Sequence, residues 1–102
     1  NPGLSVVEAL PAKYFNQGHI PSALNIPLDS NDTDIETALP NKSEPVVTYC
    51  TGPTCPNSSK LADRLLKLGY KSVFVFEEGK EGWTKAGFEL AQTGKAENEK
   101  SN

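Results

Sequence analysis

Two cysteines, Cys50 and Cys55, lie five positions apart in the segment Cys50-Thr51-Gly52-Pro53-Thr54-Cys55-Pro56. A thiolate is a strong nucleophile and a thiol is not, so the surroundings of each sulfur decide whether it reacts. Cys50 follows directly on the apolar run Pro45-Val46-Val47-Thr48-Tyr49, and a helical pattern begins at about Asn57 or Ser58. That order puts the Cys50 sulfur at the carboxyl edge of a strand, facing the positive end of a helix. Helix N-termini lower thiol pKa values and stabilise bound anions. Gly52 permits positive φ, so the loop can curl and aim successive N–H groups at one point. Two readings of Cys50 stand side by side, a reactive thiolate and a small buried structural residue. Cys55 also has two. It attacks a persulfide or sulfenate on Cys50 and closes a disulfide, or it packs beneath the loop. The curl can bring the two Cα atoms within the roughly 7 Å that a disulfide requires.

Few other residues offer chemistry. His19 is the single histidine, and it is a general base or a hydrogen-bonded turn residue. Two cysteines and one distant histidine do not make a four-ligand zinc site. Asp29, Asp32, Asp34 and Glu36 have the composition of a calcium loop without its spacing. The expectation is therefore no metal and no dissociable cofactor. Trp83 and Phe88 read as packing residues. Glu77 and Glu78 read as solvated surface, with the mouth of a pocket as the other possibility.

The elements that must position these residues follow from local patterns. Leu4 to Glu8 reads as a strand. Pro11 suits the first turn of a helix over Ala12–Gln17, which Gly18 stops. Gly18 to Pro21 is loop, and Ala23 to Ile26 is a short strand closed by Pro27. Asp29 to Asp34 is polar and flexible, followed by a short helix, Ile35 to Leu39, ended by Pro40. The unbroken apolar character of Pro45 to Tyr49 implies a strand buried on both faces, as in a parallel sheet. A helix then runs to Leu68 and carries the stripe Leu61, Leu65 and Leu68, widened by Ala62 and Leu66. Asp63 and Lys67 form an i, i+4 pair on its outer face, and Gly69 stands where a cap is wanted. Ser72 to Phe76 is the next buried strand, and Glu81 to Ala86 is a short helix capped near Gly87. After Leu90 no large apolar residue remains. Alternating strands and helices imply an α/β domain whose ligands bind at the carboxyl ends of parallel strands.

The 102 residues fit one domain, with residues 1–90 as the folded unit and 91–102 as a disordered tail. A net charge of −3 and a pI near 5.1 argue against nucleic acid and anionic membranes as partners. No apolar run approaches the ~20 residues of a membrane span, and no leader-like segment precedes the first strand. Two cysteines are too few for a disulfide scaffold, which points to a reducing compartment or to thiol chemistry. The expected location is the cytoplasm.

Several motifs occur together in an informative order. Gly18-His19-Ile20-Pro21-Ser22-Ala23 resembles the "GHIPGA" signature of the rhodanese family, and Val46-Val47-Thr48-Tyr49-Cys50 resembles the strand leading to that family's catalytic cysteine. The run from Leu61 to Tyr70 is similar to the helix after its active loop. Phe76-Glu77-Glu78-Gly79, Gly82-Trp83 and Ala86-Gly87 resemble its C-terminal pattern. The resemblance spans Val6 to Leu90. It implies a three-layer α/β/α fold with a central parallel sheet. It also implies a sulfurtransferase in which Cys50 accepts a sulfane sulfur, becomes a persulfide and passes the sulfur to a thiol or other nucleophile. Thr51, Gly52, Pro53, Thr54, Cys55 and Pro56 would then form the backbone cradle around the sulfur. Under the resemblance His19 is a structural turn residue.

This chain departs from the family pattern in four respects. Its loop has no arginine or lysine, and Pro53 and Pro56 remove two backbone donors. The Thr51 and Thr54 hydroxyls can replace some of them. Weak anion donors favour a neutral or protein-borne sulfur donor over thiosulfate. Seven residues separate Cys50 from Ser58, a long loop that resembles those of cell-cycle phosphatases and arsenate reductases. The arginine that closes those loops is missing, so a phosphate transition state lacks its main charge partner. The acid and arginine ahead of the family's first helix read Glu8-Ala9-Leu10 here, with a longer acid and no arginine. The usual upstream strand and helix are absent, which implies a short or truncated domain. The alternatives are a non-catalytic binding module of the same fold and a thiol-redox or arsenate-type reductase using Cys50 and Cys55.

Overall fold

The computed structural model describes residues 3–92. Four strands, β1 (Ser5–Glu8), β2 (Leu24–Asn25), β3 (Val46–Tyr49) and β4 (Val73–Phe76), form one sheet in the order β2-β1-β3-β4. All three pairings are parallel, with Glu8 opposite Tyr49 and Tyr49 opposite Phe76. Helices α1 (Ala12–Gln17), α2 (Asp32–Ala38), α3 (Asn57–Lys67) and α4 (Gly79–Lys85) make the connections.

Period-two alternation along β1 and β3 divides the core between two faces. Val7 and Val46 point to one face and pack with Ile35 and Leu39 of the α2 segment and Leu61 and Leu65 of α3. Val6 and Tyr49 point to the other and pack with Phe15 of α1 and Trp83 of α4. The result is the α/β/α sandwich that the motifs imply. Leu61 and Leu65 are fully buried, and burial of each stabilises the fold by about 1.5–3 kcal/mol. Tyr70 closes this face, its hydroxyl donating to the Leu39 carbonyl at 2.6 Å. Burial pushes that phenol's pKa up.

Four local expectations shift. Helix α2 begins at Asp32, inside the stretch read as flexible, because the Asn31 side chain accepts from the Asp34 N–H at 2.8 Å. Asp32 and Asp34 in its first turn complement the helix dipole. Strand β4 is an edge strand rather than a buried one, and Phe74 is 57% exposed. Residues Ala91 and Gln92, assigned from sequence to the tail, are tied to the domain. Ala91 exchanges backbone hydrogen bonds with His19, and Gln92 Nε2 donates to the Gln17 carbonyl. Residues 93–102 lie outside the described residues.

Helix α4 begins two residues earlier than its pattern suggests, at Gly79. Gly79 has φ +60° and lies against the backbone that follows β3. A Cβ here would meet the Cys50 carbonyl oxygen, and would lie 2.8 Å from the Thr51 carbonyl carbon and 2.9 Å from the Gly52 nitrogen. Gly79→Ala is therefore expected to destabilise the fold by about 2 kcal/mol or more, combining left-handed strain with backbone overlap. It is also expected to loosen the Cys50 loop. Chemical denaturation measures the first effect and susceptibility of the loop to proteolysis the second.

Candidate active site

Cys50 is the first residue beyond β3, and its side chain is 1% exposed. The loop it opens is pinned on one side by α4, whose Lys80 and Glu81 N–H groups donate to the Cys50 and Thr51 carbonyls at 3.0 and 2.9 Å. On the other side the Thr48 hydroxyl donates to the Ser58 carbonyl at 2.9 Å, and Asn57 Nδ2 donates to the Ala9 carbonyl at 3.0 Å. These bonds seat the first turn of α3 over the end of β3. Ser58 Oγ lies 3.8 Å from Cys50 Sγ, close enough to donate weakly to the sulfur.

Between these anchors the chain turns sharply. The Cys55 N–H donates to the Gly52 carbonyl at 3.1 Å, closing a β-turn with Pro53 at its second position, where proline presets φ. The turn folds Cys55 back over Cys50. Their Cα atoms are 6.3 Å apart and the two sulfurs are joined in a disulfide. Thr51, Pro53, Thr54 and Pro56 are exposed, Gly52 is buried and Cys55 is half-buried. Among the described residues, the N–H groups of Thr51, Gly52 and Thr54 have no protein acceptor. They remain as donors for a ligand.

The neighbour of the loop is a buried charge network that the motifs did not announce. Glu8 is fully buried at the end of β1. Its Oε1 accepts from the Tyr49 hydroxyl at 2.7 Å, and the same hydroxyl accepts from the Ile20 N–H at 3.0 Å. Oε2 meets Lys80 Nζ at 2.9 Å, a charge contact more than an aligned hydrogen bond. Lys80 Nζ also donates to the Tyr14 carbonyl at 3.0 Å. Burial, reinforced by the bond to Glu8, pushes the Tyr49 phenol well above its ordinary pKa. Lys80 thus supplies the cation that Glu8-Ala9-Leu10 lacks, from a helix more than seventy residues away in the chain. The available signal was the acid itself, since a carboxylate at the end of a buried strand requires a partner.

Two depressions flank the loop at the carboxyl edge of the sheet. One, of about 310 Å³, is lined by Tyr14, Gln17, Gly18, Thr51, Lys80 and Leu90. The other, of about 430 Å³, lies against Pro11, Pro27, Leu28 and Asn57 at the start of α3. Glu81 packs its carboxylate against Gly52, where a Cβ would sit 2.5 Å from Oε1. Glu77 and Glu78 are exposed.

His19 lies away from these depressions, buried in a turn. Its Nδ1 donates to the Phe15 carbonyl at 2.9 Å, and its ring stacks on Phe15 at 3.8 Å between centroids. It is structural. Ser22, which stands where the signature has glycine, holds φ 72°. Trp83 packs on Phe88 with centroids 4.8 Å apart and donates from Nε1 to the Glu89 carbonyl.

Comparison with known proteins decides the family. The family model for the rhodanese-like domain matches residues 1–86. This chain belongs to the rhodanese-like domain family. Among solved structures it is similar to the BH2092 protein from Bacillus halodurans, with 33% identity and a TM-score of 0.83 over 90% of this chain and 66% of that one. It is also similar to a thiosulfate sulfurtransferase from Pseudomonas aeruginosa, with 30% identity and a TM-score of 0.79 over 87% of this chain. The chain spans 66% and 17% of those two proteins. A rhodanese with anions from E. coli, 24% identical, shares the fold at a TM-score of 0.72 over 87% of this chain and 98% of that one. No curated protein matches the chain. Cys50 follows β3 directly, and its loop connects β3 to α3. No helix among the described residues is long and apolar enough to cross a membrane.

Proposed function

We propose that this protein is a sulfurtransferase in which Cys50 takes up a sulfane sulfur as a persulfide and delivers it to a thiol or another nucleophile. The observation that carries this reading is the setting of the Cys50 sulfur. It is buried at the end of β3, faces the first turn of α3 and Ser58, and heads a loop whose Thr51, Gly52 and Thr54 N–H groups are unpaired. An N-terminal helix dipole and nearby unpaired N–H donors favour both a thiolate and the terminal sulfur of a persulfide. A thiol that must be reset after each turnover suits the reducing cytoplasm. Intact-mass analysis of reduced protein after incubation with a sulfane donor tests the reading. A gain of one sulfur on Cys50, or its release as sulfide, is expected, and Cys55→Ser is expected to retain the added sulfur. A protein that neither gains sulfur nor releases sulfide would leave a binding module of the same fold.

The donor follows from charge. The loop from Cys50 to Pro56 contains no cation, and Pro53 and Pro56 offer no N–H. Lys80 is engaged by Glu8, and the Glu81 carboxylate lies on Gly52. A dianion such as thiosulfate meets a weak cradle beside a negative charge, so the donor is a neutral small molecule or a sulfur carried on another protein. Thr54 is exposed on the loop, and Thr54→Arg is expected to lower the thiosulfate KM about tenfold, because charge-assisted hydrogen bonds are roughly twice as strong as neutral ones. Steady-state kinetics with thiosulfate checks this. A wild type that already saturates at micromolar thiosulfate contradicts the account.

A further inference from the structure

The Cys50–Cys55 pairing bears on how a sulfur taken up by Cys50 leaves it. We propose that Cys55 resolves the Cys50 persulfide, so that the sulfur leaves as hydrosulfide and the terminal electron donor is a dithiol. This rests on the sulfurtransferase reading, since it begins from a persulfide on Cys50.

The step balances without an outside oxidant. The Cys55 thiolate attacks Sγ of Cys50–S–SH. The Cys50–Cys55 bond forms and the bond between Sγ and the terminal sulfur breaks. The electron pair goes to that terminal sulfur, which leaves as HS⁻ with its proton. The sulfane sulfur is reduced by two electrons and the cysteine pair is oxidised by two. A dithiol then reduces the Cys50–Cys55 disulfide, becoming a disulfide itself and restoring both thiols.

Three observations support this assignment. First, the β-turn from Gly52 to Cys55, with Pro53 preset at its second position, brings the two Cα atoms to 6.3 Å, inside the range of roughly 4.4–6.8 Å that a disulfide spans. The turn's own backbone bond makes the approach, so little ordering is required at the moment of attack. Second, the two sulfurs are unequal in the manner a resolving pair needs. Cys50 is buried, and Cys55 is half-buried between exposed Thr54 and Pro56. An incoming thiolate therefore reaches Cys55 Sγ, and Cys50 is the leaving group. That departure is favoured by the first turn of α3 and the Ser58 hydroxyl 3.8 Å away. Third, the cradle is poorly equipped to hold a charged acceptor for direct transfer, whereas an internal thiol needs no binding site.

The experiment uses the full chain, fully reduced and freed of reductant. Protein is loaded with glutathione persulfide under anaerobic conditions, passed through gel filtration and followed by intact mass and sulfide release. The wild type is expected to release about one sulfide per chain and to end with a Cys50–Cys55 disulfide and no retained sulfur. Cys55→Ser is expected to hold its Cys50 persulfide at least ~10-fold longer, because it lacks an intramolecular thiol at high effective concentration. In turnover, dithiothreitol is expected to outperform 2-mercaptoethanol at equal thiol concentration with the wild type, and to lose that advantage with Cys55→Ser. A wild type that retains its persulfide as long as Cys55→Ser, with no Cys50–Cys55 link, overturns the resolving role while leaving sulfur transfer standing. If neither chain takes up sulfur, the sulfurtransferase reading falls and the resolving role with it. Should Cys55→Ser fail to fold, disulfide mapping of the sulfur-loaded wild type decides alone.

Discussion

Cys50→Ser is expected to lower sulfur transfer by about 10³-fold or more, since a hydroxyl matches the thiol in shape but cannot carry a sulfane sulfur. The fold is expected to survive. The substituted hydroxyl lies near the Cys55 carbonyl, which is 3.3 Å from the present sulfur, and near Ser58 Oγ, so it is not left unsatisfied. Oxidised wild type should exceed the variant in stability by about 2 kcal/mol, the loop-closure contribution of so short a disulfide. Reduced wild type should match it closely. The comparison separates loss of the nucleophile from loss of the cross-link, and Cys55→Ser supplies the control, losing the same stability while still taking up sulfur. Transfer kinetics, intact mass and denaturation under oxidising and reducing conditions measure these quantities. A Cys50→Ser protein with substantial transfer activity would remove Cys50 from the mechanism.

Lys80→Met is expected to be among the most damaging single changes to stability, costing about 3–5 kcal/mol. Lys80 is 14% exposed at the side chain and Glu8 is not exposed at all, with 2.9 Å between the charges. Truncating the cation leaves a carboxylate at the centre of the sheet's carboxyl edge with Tyr49 as its one neutral donor. A small domain has about 5–15 kcal/mol in total, so the variant should approach the unfolding threshold. Glu8→Gln is expected to cost less, because the amide still accepts from Tyr49 and Lys80 keeps its bond to the Tyr14 carbonyl. The double variant should recover part of the loss, and a double-mutant cycle by urea denaturation measures the coupling. If Lys80→Met unfolds no more readily than Lys85→Met on the exposed face of α4, the pair is not structural. The α4 backbone also holds the Cys50 and Thr51 carbonyls. Sulfur transfer should therefore fall together with stability in Lys80→Met, and return with it in the double variant.

The elements around Cys50 were legible because local rules act there without competition. An unbroken apolar run makes β3, a leucine stripe at helical spacing makes α3, and glycine after Leu68 ends it. The strand-to-helix placement of Cys50 follows from those alone. The polar run before Ile35 was harder, because its helix depends on one capping side chain, Asn31, holding the Asp34 N–H. The exposed face of β4 was not readable from Val73-Phe74-Val75-Phe76, which has the same apolar character as a central strand. Its edge position depends on the order in which strands pair.

Composition, charge and motif order by themselves determined the α/β architecture, the family resemblance and the choice of Cys50 as the candidate nucleophile, because each rests on residue type and short spacing. The partnership of Glu8 with Lys80, the weight of Glu81 on Gly52 and the meeting of Cys50 with Cys55 were decided by the tertiary structure. The first joins opposite ends of the chain through the docking of α4 on the sheet. The second depends on where that docking leaves a helix face. For the cysteines, sequence supplied the five-residue spacing and the Gly52-Pro53 turn signal, but spacing permits packing and bonding alike. The direction in which a turn folds its fourth residue is set by the anchors at both ends. Here α4 holds the Cys50 and Thr51 carbonyls on one side, and Thr48 and Asn57 hold the start of α3 on the other.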